Sequence, residues 1–153
     1  MKRITYILLT TLIINSLSSQ LSYANVSKKL RVTNQIEISF PSVFKLTKSG
    51  CKAMTFKYKL SKNFDVDSTI SLYVEDDIYR YVAYEVWDGY ELYEAAKPKT
   101  LQGNNKIEFC RDSYYDSSLD LDIYPSYKGN YRITLALEND EYKEVSTLLR
   151  LSE

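Results

Sequence analysis

Most acyl and proton transfer by enzymes runs through histidine, and this chain contains none. That removes serine–histidine and cysteine–histidine nucleophilic pairs, histidine general bases and the histidine ligands that catalytic zinc usually takes. The two cysteines, Cys51 and Cys110, come next. In an oxidising compartment a pair of cysteines reads as one disulfide, which leaves no thiolate for chemistry. Carboxylate catalysis remains, and a glycosidase of that kind needs two acids about 5 to 10 Å apart in a cleft, for which a small domain has little room. The acids fall in clusters: Asp65-Val66-Asp67, Glu75-Asp76-Asp77 and Asp120-Leu121-Asp122. Calcium takes about six to eight oxygen ligands, so Asp65, Asp67, Glu75, Asp76 and Asp77, read as loop tips, are calcium candidates, although none has the spacing of an EF-hand loop. From Leu119 to Ile123 acids alternate with apolar residues, which reads as the solvent face of a half-buried strand. The expectation is a protein with neither enzymatic activity nor a cofactor.

Tyrosine is the unusual resource, with 15 in the chain. Tyr73, Tyr79, Tyr81, Tyr84, Tyr90 and Tyr93 lie in one stretch that also carries Trp87. On a regular strand Tyr79, Tyr81 and Trp87 share one parity while Val82, Tyr84 and Val86 share the other, so both faces carry aromatic or apolar groups. A tyrosine offers a large ring and a hydroxyl at low entropic cost, which suits recognition surfaces. Tyr81, Tyr84, Trp87, Tyr90 and Tyr93 are therefore the candidate binding residues. Asp88-Gly89 between them reads as a two-residue hairpin turn, which would set Trp87 directly opposite Tyr90.

The elements that position these groups read as strands. Apolar residues recur at every second position in Met54, Phe56, Tyr58 and Leu60, in Ile70, Leu72 and Val74, in Tyr131, Ile133, Leu135 and Leu137, and in Val145, Thr147, Leu149 and Leu151. Period two means strands with one buried face. Leu30 to Phe40, Tyr79 to Trp87, Tyr90 to Glu94 and Lys106 to Cys110 read the same way, while Tyr90 to Lys97 also allows a helical turn or two. Glycine and proline punctuate the segments. The pattern predicts an all-β fold, a single antiparallel two-layer sandwich.

At the amino terminus, Met1-Lys2-Arg3 precedes the apolar run Ile4 to Ile14, and Ser22-Tyr23-Ala24 places small residues where a signal peptidase reads. Residues 1–24 are expected to be a signal peptide and 25–153 one domain, secreted or periplasmic. That run is too short to span a bilayer, and no later segment is apolar for long enough, so no membrane insertion is expected after cleavage. Asn25-Val26-Ser27 is a glycosylation sequon that matters only in a eukaryotic source. The full chain balances 20 basic against 20 acidic residues. Loss of Lys2 and Arg3 leaves a net charge of about minus two, which argues against nucleic acid as a partner.

Lys128-Gly129-Asn130-Tyr131-Arg132-Ile133-Thr134-Leu135 resembles the turn, tyrosine and alternating strand found late in immunoglobulin-like and fibronectin-like domains. The resemblance implies an immunoglobulin-like sandwich in which the Tyr131 hydroxyl ties down a corner; a jelly roll is the alternative. Two departures stand against it. Trp87 lies far beyond the dozen or so residues after Cys51 where that family places its core tryptophan. Cys51 and Cys110 also have the opposite parity to the apolar residues of their own strands, so their bridge is expected near a strand end or on the outer side. The functional expectation is a binding module for an unknown protein or glycan. The alternatives are a structural subunit of a surface assembly, joined through strand edges, or a carboxylate-dependent hydrolase.

Overall fold

Residues 26–153 are described by a computed structural model; the expected signal peptide, its expected cleavage site and Asn25 lie outside the described residues. The fold is all-β, as the alternation predicts. β1 (Ser27–Val32), β2 (Ile36–Pro41), β4 (Cys51–Leu60) and β7 (Gln102–Cys110) form a four-stranded antiparallel sheet in the order β1-β2-β4-β7. After Pro41 the chain leaves this sheet, and β3 (Val43–Lys45) pairs parallel with β11 (Tyr142–Ser152). β5 (Thr69–Glu75), β6 (Tyr81–Asp88) and β10 (Gly129–Glu138) complete a five-stranded sheet in the order β3-β11-β10-β5-β6. A small hairpin of β8 (Tyr114–Asp116) and β9 (Leu121–Ile123) lies between β7 and β10 in the chain.

The two large sheets share one core. Leu30, Ile38, Met54, Phe56, Ile107 and Phe109 from the first are buried in the same cluster as Ile70, Leu72, Val74, Ile133, Leu135 and Leu149 from the second. Each such side chain contributes about 1.5 to 3 kcal/mol on leaving water, which is why the alternation holds so strictly along these strands.

Three expectations change in detail. Leu30 to Phe40, read as one strand, is a hairpin of β1 and β2, broken at Thr33-Asn34-Gln35, where the Gln35 N–H donates to the Val32 carbonyl at 3.3 Å. Asp88-Gly89 is not a hairpin turn. The Asp88 carboxylate accepts the Tyr90 N–H at 2.7 Å and so caps the helix α1 (Gly89–Ala95), which replaces the expected strand Tyr90 to Glu94. Gly89 is required by proximity rather than by a left-handed backbone: a Cβ there would sit 2.7 Å from the Ser68 carbonyl oxygen and 2.9 Å from that of Val66. Its own N–H donates to the Ser68 carbonyl at 2.8 Å. The third change is a bulge in β6. Val74 pairs with Ala83 but Glu75 pairs with Tyr81, so Val82 is an extra residue and both Val82 and Ala83 are buried.

Cys51 and Cys110 are bridged, and they are direct partners across β4 and β7, at the first residue of one strand and the last of the other. This agrees with the parity argument. At the corner before β10 the Tyr131 hydroxyl accepts the Tyr127 N–H at 3.1 Å.

Candidate functional site

The bulge in β6 decides which tyrosines meet. Without it Tyr81 and Tyr84 would lie on opposite faces; with it both point outward from the five-stranded sheet, and Trp87 turns inward. Alternation in β5 sends Leu72 and Val74 into the core and Tyr73 out, directly opposite Tyr84. The three rings pack on one another: Tyr73 and Tyr84 lie 5.5 Å apart and nearly parallel, while Tyr81 meets Tyr73 at 5.5 Å and Tyr84 at 5.1 Å edge to face. Pairs of this kind contribute about 0.5 to 1.5 kcal/mol each beyond burial, so the group holds a fixed shape.

β11 supplies the polar side of the group. The Tyr73 and Tyr142 hydroxyls each donate to the same Glu144 carboxylate oxygen at 2.8 Å. These hydrogen bonds hold the Glu144 carboxyl below the usual range. Burial, then the Tyr142 and Glu144 neighbours, push the Tyr73 phenol far above its ordinary value. Beside the rings the sheet carries small hydroxyl groups: Thr134 pairs with Tyr73 on β10, and Thr134 and Ser146 share a 2.9 Å hydrogen bond. At the next row the Arg132 guanidinium lies 4.7 Å from the exposed Tyr79 ring and 3.4 Å from the Glu75 carboxylate. The surface is thus a shelf of stacked tyrosines above a floor of serine and threonine, with its charges largely matched.

Of the residues singled out from sequence, Tyr81 and Tyr84 are brought together here. Trp87 is partly buried and packs edge to face on Phe56 of the other sheet, 5.4 Å between ring centres. Tyr90 and Tyr93 are exposed on α1, and Tyr90 does not pair with Trp87. Tyr73 and Tyr142 were missing from the candidates. Alternation marks both as outward residues, but their meeting depends on the order of β6, β5, β10 and β11, which a local pattern does not carry.

Of the acidic loop candidates, Asp76 and Asp65 are occupied by their own turns. Asp76 accepts the Ile78 and Arg80 N–H groups and pairs with the Arg80 side chain at 2.7 Å. Burial penalises its charge, yet the bonds from Arg80 and Ile78 outweigh this and hold the carboxyl below its usual range. Asp65 accepts the Asp67 N–H and an Asn139 amide hydrogen. Glu75 faces Arg132, and Asp77 is exposed. Asp120 accepts the Tyr115 hydroxyl. Among the described residues, the one group of three acidic or cysteine side chains close enough to share an ion is Cys51, Glu108 and Cys110, whose sulfurs are already joined.

A second acidic feature was not legible. A cavity of about 460 Å³ beside the disulfide is lined by Glu85, Glu108, Asp112, Tyr114 and Asp116 among others. The β6 bulge turns Glu85 inward, and burial, then the Asp116 and Glu108 charges, raise its carboxyl above the ordinary range. Comparison with known family models, curated proteins and solved structures finds no match for the chain. Among the described residues no helix is long and apolar enough to cross a membrane.

Proposed function

We propose that this chain is an exported, non-enzymatic binding module on an immunoglobulin-like sandwich, recognising a protein or glycan through the tyrosine shelf of its five-stranded sheet. The observation that carries the reading is the outward stack of Tyr73, Tyr81 and Tyr84 joined to Tyr142 and Glu144. A rigid aromatic group loses little entropy when a partner docks, and it presents ring faces together with hydroxyls. The architecture is supported by the neighbours β4 and β7 in one sheet and β5, β10 and β11 in the other, which correspond to the B–E and C–F–G neighbours of that fold. The Tyr131 corner supports it as well. The bridge differs from that family's, since it joins neighbouring strands of one sheet.

The test is binding to an immobilised panel of purified glycans and surface proteins. Tyr81→Ala combined with Tyr84→Ala should weaken any partner's binding about 30-fold, a loss of about 2 kcal/mol at a hot spot, while Tyr90→Ala leaves it unchanged. Equal binding by the double variant and the wild type would reject the shelf. The acidic cavity favours a second reading, carboxylate-dependent hydrolysis with Glu85 as proton donor. Turnover of a chromogenic glycoside that disappears in Glu85→Gln would move the assignment there.

A further inference from the structure

The near-neutral total charge of the chain conceals an uneven distribution. On the four-stranded sheet two adjoining cross-strand rows face outward, Arg31, Glu37, Lys59 and Gln102 in one, and Lys29, Ser39, Lys57 and Asn104 in the next. Each row runs straight across β1, β2, β4 and β7, and Lys97 stands at the far end, bridged to Gln102. Lys29, Arg31, Lys57, Lys59 and Lys97 therefore gather around these two rows with Glu37 as the one carboxylate among them, while farther along the face Lys106 and Glu108 add one charge of each sign. Glu37 is taken by Lys29 at 2.9 Å and by Arg31. Among the described residues, no carboxylate lies within ion-pair distance of Lys57, Lys59 or Lys97. Like charges on neighbouring positions of one face oppose folding, so their concentration here is a feature to be explained.

The face also carries grooves between its side chains. Two adjoining grooves of about 450 and 410 Å³ share Lys29, Glu37 and Lys59 in their walls. Their remaining groups include the amides of Asn34, Gln102 and Asn104 and the hydroxyl of Ser39. None of the large apolar side chains exposed among the described residues stands on this face. A protein partner would need an apolar or aromatic anchor, a single-stranded nucleic acid would need rings for its bases, and a lipid surface would need apolar side chains to enter it. A groove with cations and neutral amides, and no apolar anchor, suits a hydrated polyanion that also offers hydroxyls.

From this geometry we infer a second binding site, distinct from the tyrosine shelf: the two-row groove of the four-stranded sheet holds an anionic polysaccharide, its acid groups on Lys57, Lys59 and Lys97 and its hydroxyls on the amides. Arg31 and Lys59 are two strand spacings apart, about 10 Å, so the site takes several sugar units rather than one.

The probe is dextran sulfate, with unsulfated dextran as the neutral control, titrated calorimetrically into the purified, disulfide-bonded protein at several salt concentrations. Dextran sulfate should bind and dextran should not. Lys57→Gln with Lys59→Gln should weaken binding at least tenfold and reduce the salt slope by about two, one released counterion for each lost contact. Lys48→Gln with Lys128→Gln removes the same net charge elsewhere and should bind as the wild type does. Glu37→Gln frees Lys29 and Arg31 and should strengthen binding severalfold. All these positions are at the surface, and equal melting temperatures establish that each variant is folded. Equal weakening in the two double variants would overturn the site, as would an unchanged affinity in Lys57→Gln/Lys59→Gln. Tighter binding of duplex DNA or of phosphatidylserine vesicles than of dextran sulfate would overturn the polysaccharide assignment. Tyr81→Ala/Tyr84→Ala, by contrast, should leave dextran sulfate binding intact, which separates this site from the shelf.

Discussion

Tyr131 and Trp87 each tie a strand of the five-stranded sheet to its surroundings through a single side chain. The Tyr131 hydroxyl accepts the Tyr127 N–H four residues earlier, a local bond that a local sequence pattern can announce. Tyr131→Phe should therefore cost about 0.5 to 1.5 kcal/mol, measured by denaturant unfolding, and an unchanged midpoint would remove the corner's energetic role. Trp87 was not legible in the same way, because its direction depends on whether Val82 is counted in the strand's alternation. With Val82 as the extra residue of a bulge, Trp87 faces Phe56 and the core. Trp87→Ala should then cost about 3 kcal/mol of stability, and acrylamide should quench the native tryptophan far less than the unfolded one. Full quenching with an undisturbed midpoint would place Trp87 outside the core.

The β6 bulge also acts at the scale of the element, since it turns Tyr81 and Tyr84 to one face and sends Glu85 inward toward Glu108 and Asp116. The strands themselves were readable because burial enforces period two wherever one face meets the core. The bulge was not, because one extra residue leaves no compositional mark while reversing every parity beyond it. Glu85 carries a measurable consequence. Its carboxyl is raised in the folded state, so the folded protein binds the proton more tightly than the unfolded chain does. The charged form therefore opposes folding above that raised value, and the penalty vanishes as pH falls below the ordinary range of glutamate. Glu85→Gln should raise the melting temperature at pH 7 and leave it unchanged near pH 3. A lower melting temperature at pH 7 would mean that Glu85 has a stabilising partner. The sequence left Tyr90 to Lys97 open between strand and helical turn because Asp-Gly serves both a hairpin turn and a helix cap, and the choice of α1 here follows the close approach of Gly89 to Ser68.

For the whole molecule, the cysteine bridge closes a loop with a sequence separation of 59 residues, which corresponds to about 4 kcal/mol in the chain-entropy model. Reduction should lower the melting temperature by roughly 12 to 24 °C, and a shift of only a few degrees would show that the reduced chain already keeps the ends of β4 and β7 together. The two-sheet architecture could be expected from alternation, but the charge asymmetry between the sheets could not. Lys57 and Lys59 share a face by alternation alone, but Lys29 and Arg31 join them only when the order β1-β2-β4 is known. The parallel pairing of β3 with β11 has a consequence of a different kind, in time. Val43 to Lys45 lie beside Arg150 to Ser152, and the Leu46 N–H donates to the Ser152 carbonyl, so an early strand finds its partner only when one of the latest has been made. Contacts this distant in sequence slow folding. While the chain is being synthesised, Phe44 and Leu46 emerge long before the strand that pairs with β3, and for that interval their segment has no sheet to join.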